Sequence, residues 1–77
     1  DQLRRASLSI PLNIAEGVGK STRPDQRNFF LVARGSAMEC AAILDACHVL
    51  NLARPEAIDS AKPILVEIVC MLSRMAG

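Results

Sequence analysis

The residues able to do chemistry in this chain are few. His48 is the only histidine, and Cys40, Cys47 and Cys70 are the only thiols. A cysteine–histidine nucleophile needs both side chains side by side. Cys47 and His48 are neighbours in a helical stretch, where successive side chains point about 100° apart. A di-iron bundle needs several Glu ligands and Glu-x-x-His pairs on facing helices, and no Glu stands three residues before His48. The cysteines have no metal-ligand spacing. Cys40 and Cys47 would lie two helical turns apart, roughly 10 Å, beyond disulfide reach. Both fall in apolar rows and suit small buried thiols of a reducing cytosol. Gly17-Val18-Gly19-Lys20-Ser21 has the look of a phosphate loop, but it follows a helical pattern and lacks the strand and the full glycine spacing, so it reads as a turn. These residues supply no catalytic, metal or cofactor set, and the reading is of a protein that is not an enzyme.

Charge is the remaining chemistry. The net charge is +1, and it is uneven. Through Cys40 the bases Arg4, Arg5, Lys20, Arg23, Arg27 and Arg34 outnumber the acids Asp1, Glu16, Asp25 and Glu39. From Ala41 onward, Arg54, Lys62 and Arg74 face Asp45, Glu56, Asp59 and Glu67. The six bases of the first half are the candidate nucleic-acid contacts. Repetition in a ring would strengthen them, because the fields of copies add. Glu16 sits at a helix C-terminus, the unfavourable end for an acid, so it calls for a base such as Arg5 or Arg34. Glu16, Arg34 and Glu39 are accordingly the candidates for structural ion pairs. His48 reads as a partly exposed helix residue.

Three helices must position these groups. The stretch around which the others are organised runs about 23–50. Phe30, Ala33, Ala37, Cys40, Leu44 and Cys47 step by three and four, as do Phe29, Ala33, Ser36, Cys40, Ile43, Cys47 and Leu50. Together they make an arc wider than the roughly 100° stripe of a helix packed on one side, so this is a central helix with two neighbours. Thr22 as N-cap, Pro24 in the first turn and Asp25 at the third position open it. Asn51 is a left-handed cap at its end. A first helix spans about 2–17, with Leu3, Ala6, Ile10 and Ile14 in one stripe, a kink at Pro11, and Gly17-Val18-Gly19 ending it. A third spans about 55–76, with Pro55 and Glu56 in its first turn and a bend from Pro63. Its stripe is Ile58, Ala61, Leu65, Ile68, Leu72 and Met75. No strand is predicted.

The 77 residues make a single helical domain, 1–77, at the size where one core is marginal. Yet 51% of them are hydrophobic and only 22% charged. A domain this small cannot hide that much apolar surface, so some must face another subunit or a further segment. No apolar run approaches the roughly 20 residues that span a membrane, and neither a signal peptide nor an initiator Met opens the chain. The expected setting is cytoplasmic. The chain begins in helical rhythm, and the first helix is too short to cover its partner. The expected fold is all-α: an up-and-down four-helix bundle with three helices in this chain and an N-terminal one before Asp1.

Three words carry a resemblance: Gln2-Leu3-Arg4-Arg5-Ala6, Ser9-Ile10-Pro11-Leu12-Asn13-Ile14-Ala15-Glu16-Gly17, and Phe29-Phe30-Leu31-Val32-Ala33-Arg34-Gly35-Ser36. They resemble the bacterial four-helix-bundle family of 23S rRNA intervening-sequence proteins, and are similar to the accessory proteins of diversity-generating retroelements. The likeness covers essentially the whole chain and is weakest in the last helix. It implies a further N-terminal helix, a ring-like homopentamer and, from the retroelement relatives, a basic surface that engages nucleic acid and a reverse-transcriptase-like nucleoprotein. Arg4, Arg5 and Arg34 match motif bases, and Lys20 stands where an arginine is common.

Two functions follow as expectations. One is a homo-oligomeric helical protein that binds RNA or a nucleoprotein partner through a basic face. The other is a pure assembly module in which the same arginines make ion pairs. Phe29 and Phe30, the only aromatics, are expected in the seam rather than stacked on bases.

Overall fold

The computed structural model describes residues 1–77. It is all-α, with α1 Gln2–Gly19, α2 Arg23–Val49 and α3 Pro55–Ala76. α1 and α3 each pack along α2 and stand apart from one another. The molecule measures 44 × 23 × 13 Å. A helix with its side chains is about 10–12 Å across, so the three helices form a shallow layer with α2 as its spine.

The local reasons for the helices are in the sequence. Asp1 caps α1 by accepting from the Arg4 amide at 2.8 Å. Thr22 caps α2 by accepting from the Asp25 amide at 3.4 Å. Pro24 occupies the first turn of α2 and Pro55 that of α3, where the missing N–H has no bond to lose. α2 closes as expected on Asn51, whose φ is 58°. The Leu52 amide donates to the Cys47 carbonyl and the Asn51 amide to the His48 carbonyl, the paired bonds of a Schellman motif.

The end of α1 corrects the sequence reading. The helix does not stop at Gly17; it runs to Gly19 and ends on Lys20 in an extended conformation, with no glycine at positive φ. Gly17 is there for space instead. It is buried, and a Cβ on it would stand 2.6 Å from Cε1 of Phe30. Only a hydrogen fits between α1 and that ring. α1 is thus 18 residues against 27 in α2. Both helices that contain a proline continue through it, and Pro11 and Pro63 are exposed.

The core lies along the spine in two clusters. Ala6 and Ile10 of α1 meet Ala37 and Cys40 of α2 in the first. Phe30 and Ala33 of α2 meet Leu72 and Ala76 of α3 in the second. Ile14 and Ile68 pack against both. Small residues at 33 and 37 let both flanking helices come close to α2, and both are wholly buried at 0% exposure. The core goes no further. Ten residues of 77 are buried, while eleven large hydrophobic side chains are exposed, from Met71 at 39% to Val49 at 81%.

Candidate nucleic-acid interface

The six candidate bases do not form one patch. Arg4 and Arg5 lie in the first turn of α1, and Lys20, Arg23 and Arg27 lie where α1 gives way to α2. About sixteen residues of helix at 1.5 Å each, roughly 24 Å, separate the two groups. Arg34 sits two turns further along α2 than Arg27.

Three of the arginines are held inside the fold. Arg23 Nη1 donates to the Met75 carbonyl at 3.1 Å, and Arg27 Nε to the Ala76 carbonyl at 3.0 Å. Those carbonyls are orphans of the last turn of α3, at the negative end of its dipole, so two guanidinium groups cap α3 from the start of α2. Arg34 Nη1 donates to Ser73 Oγ at 3.2 Å, one turn below. The arginines are therefore fasteners of α2 to α3 first. Each uses one nitrogen in this way, and the other donors of the exposed Arg23 and Arg27 stay open to solvent. Arg4 and Arg5 are exposed and make no side-chain bond within the chain.

The ion-pair candidates are redistributed. Glu16 pairs with Lys20, at 3.8 Å, and with neither Arg5 nor Arg34. The helix extends past Gly17, which places Lys20 one turn after Glu16 and in reach. Both side chains are substantially exposed, 61% and 39%, so the pair contributes little. Lys20 Nζ also stands 5.1 Å above the centre of the Phe29 ring, within cation–π range. Glu39 takes part in no ion pair, and Arg34 meets a hydroxyl instead of an acid. The other ion pair is Lys62 with Asp45, tying α3 to α2 near the far end.

Sequence reading missed the polar seam between α1 and α2. Ser36 Oγ donates to Ser9 Oγ at 2.7 Å, and Asn13 Nδ2 donates to the Ser9 carbonyl at 2.8 Å and to Ser9 Oγ at 2.9 Å. The signal was present: Ser9 and Asn13 are four apart on the face that also carries Ala6 and Gly17. These residues belong to the second and third words of the resemblance, and here the two words touch, through Ser9 with Ser36 and through Gly17 with Phe30. Phe30 is buried and Phe29 half-buried, as expected. Of the thiols, Cys40 is buried and Cys47 half-buried, while Cys70 is exposed. His48 is exposed.

An apolar groove completes the surface. Leu3, Ser7 and Ile10 of α1 face Ala61, Ile64 and Leu65 of α3 across Cys40 and Leu44 of α2, around an open volume of about 320 Å³. No helix of the protein is long and apolar enough to cross a membrane.

The model of one protein family, described as 23S rRNA-intervening sequence protein, matches residues 1–74. No curated protein and no solved structure matches the chain.

Proposed function

The chain belongs to the family of 23S rRNA-intervening sequence proteins, and from that premise we propose that it is a non-enzymatic assembly protein: a helical bundle that completes itself with a fourth helix and associates with copies of itself. The observation that carries this reading is the mismatch between core and grease. Nine hydrophobic residues make the buried core, whereas Leu8, Leu12, Val32, Met38, Ile64 and Val66 are each more than half exposed. Each fully buried aliphatic side chain is worth about 1.5–3 kcal/mol. A layer of three helices that leaves so many outside gains by being covered. The groove over Cys40 and Leu44 is the empty corner of a four-helix bundle, and an N-terminal helix laid antiparallel to its neighbours fills it. A homopentameric ring then shelters the outer faces.

The second reading, RNA or a nucleoprotein as partner, has its own support. Lys20, Arg23 and Arg27 cluster at one end of the layer, and in a ring of aligned copies those ends share one face. The proposed setting is the cytoplasm, where such a partner is found.

The test is the solution mass of the protein, measured alone and then with total cellular RNA. A multiple of the chain mass supports assembly. A further gain with RNA that vanishes between 50 and 200 mM salt supports phosphate contacts, since several neutralised phosphates make binding fall steeply with salt. A compact monomer that stays stable on dilution overturns assembly. An oligomer that retains no RNA at low salt removes the second reading.

A further inference from the structure

The contact between α2 and α3 carries two facing rows on the side away from the groove over Cys40 and Leu44. On α2, Arg34, Met38, Ala41 and Asp45 step by four, three and four; on α3, Lys62, Val66, Val69 and Ser73 do the same. Each set is therefore one row of its helix. The rows run antiparallel and are tied at both ends. Arg34 Nη1 donates to Ser73 Oγ at one end, at 3.2 Å, and Lys62 pairs with Asp45 at the other. That register sets Met38 opposite Val69 and Ala41 opposite Val66. Between the ties the rows do not close. Met38, Ala41, Ala42, Val66, Val69 and Cys70 line an open trough of about 340 Å³. Met38 and Val66 are each 55% exposed along it. The rise from Arg34 to Asp45 at 1.5 Å per residue makes the trough roughly 16 Å long.

The two ties differ in charge. Lys62 and Asp45 neutralise each other. Arg34 is half-buried and meets only a hydroxyl, and no carboxylate of the chain pairs with it. Ser73 Oγ accepts that bond and donates none within the chain, so its proton is free. A guanidinium with spare N–H groups and a hydroxyl beside it are two donors at one end of an apolar trough. Such a pair suits a single carboxylate, which Arg binds through its planar fork.

The shape of the trough decides the kind of occupant. Small-molecule sites enclose most of their ligand, whereas this is a channel open along its length between two helices. Its floor of Ala41 and Ala42 lets a backbone come close, and the flexible side chain of Met38 adapts to what fills it. We propose that the trough is the docking site for an amphipathic helix of a partner protein. A carboxylate of that helix meets Arg34 and Ser73, and aliphatic side chains four and seven residues further along enter between Met38 and Val66. Those seven residues rise about 10 Å, which fits within the trough. Charge complementarity selects the partner: Arg34 is the one uncompensated charge in the two rows, and an acid neutralises it. The proposal stands apart from the assembly reading and uses neither Arg4 and Arg5 nor the bases at the start of α2.

The test is titration of the protein into a fluorescent synthetic helix, followed by anisotropy. The probe is an alanine-rich, end-blocked peptide of about 20 residues, long enough to be helical alone, with one Glu and with Leu four and seven residues after it. Its twin carries Gln in place of Glu. The Glu peptide should bind one per chain, and the Gln twin at least about tenfold more weakly. Arg34→Gln should bring both peptides to the weaker value, because the two losses remove the same bond. Arg34 also fastens α3, so Ala42→Glu, at an exposed position of the trough, is the second variant. It should abolish binding while circular dichroism stays that of the wild type. No binding of the Glu peptide, equal binding of the twins, or binding indifferent to Ala42→Glu overturns the docking site. Peptide binding that is lost in step with a rise in solution mass shows that copies of the chain cover the trough; that outcome overturns the partner helix and leaves the assembly reading standing.

Discussion

At one end of the layer, around Phe30 and Leu72, both flanking helices close on α2; at the other, around Leu44 and Ile64, an apolar groove stays open between them. The closed end has an aromatic ring against a glycine with no room for a Cβ. It also has a leucine at 0% exposure and two arginines on the last carbonyls of α3. The open end has one buried side chain from the first turns of α3, Ile58, and exposed Val49, Leu50, Leu52 and Ile64 around it. Its one charged tie is the surface pair Lys62–Asp45. Composition does not separate the two ends, since both are rich in Leu, Ile and Ala. What separates them is partners: at the closed end the inward faces of α1 and α3 meet α2 within the chain, while at the open end an apolar groove stays empty.

That contrast is broken most directly by truncating a leucine or isoleucine at each end. Leu72→Ala empties a site with no solvent access and should cost about 2–5 kcal/mol of unfolding free energy. Ile64→Ala, at a side chain 59% exposed, should cost under about 1 kcal/mol in the isolated chain. Urea unfolding at low protein concentration measures both. If an N-terminal helix fills the groove, the Ile64 cost rises in a protein that carries that helix while the Leu72 cost does not, and neither change depends on protein concentration. Equal costs for the two at low concentration would erase the distinction between the ends.

Two glycines sharpen it further, because the same substitution should have opposite signs. Ala in place of Gly in a helix interior gains about 1 kcal/mol from propensity. At Gly17 the added Cβ meets Phe30 Cε1 at 2.6 Å, Phe30 Cδ1 at 2.9 Å and Phe29 Cβ at 3.2 Å. Overpacking of that kind costs about 1–3 kcal/mol, so Gly17→Ala should destabilise or at best break even. Gly35 has nothing within 4 Å of an added Cβ, so Gly35→Ala should stabilise the isolated chain. Thermal melts of the two variants beside the wild type give the signs directly.

Much of this was legible in the sequence, and the part that was not has a common cause. The seam of α2 could be read residue by residue, since helical period alone dictates that Phe30, Ala33, Ala37 and Cys40 share a face, and those four are its buried residues. The start of α2 at Thr22 and the turn at Asn51 follow from the local chemistry of caps. Gly17 could be misread as a terminator because a glycine's local role and its packing role look alike in a sequence; only the Phe30 ring distinguishes them. The arginine clamp was invisible for the same reason. Arg23 and Met75 are 52 residues apart, and no local rule connects a base at the start of one helix with a carbonyl at the end of another. The basic residues could be counted from sequence, but their division into fasteners and open edges could not.

The smallest effects test whether the charged ties deserve that division. Arg27 Nε lies 3.0 Å from the Ala76 carbonyl in a partly buried bond, at a helix end whose other side-chain cap is Arg23 on the Met75 carbonyl. A hydrogen bond from a charged group contributes about 1.5–3 kcal/mol at best, and partial exposure reduces it, so Arg27→Ala should cost about 1 kcal/mol. Lys62→Ala removes a pair whose acid is 64% exposed; surface pairs contribute about 0–1 kcal/mol, and this one should fall in the lower half. Salt separates them better than size does. Raising ionic strength screens the exposed pair and should bring Lys62→Ala close to wild type, whereas the loss at Arg27 should persist, since its acceptor is a neutral carbonyl. Fraying of the last turn of α3, read as faster amide hydrogen exchange at Ala76 and Gly77, should accompany Arg27→Ala and not Lys62→Ala. If both variants lose the same stability, and salt abolishes both losses, then the guanidinium at the closed end is one more surface charge rather than a cap.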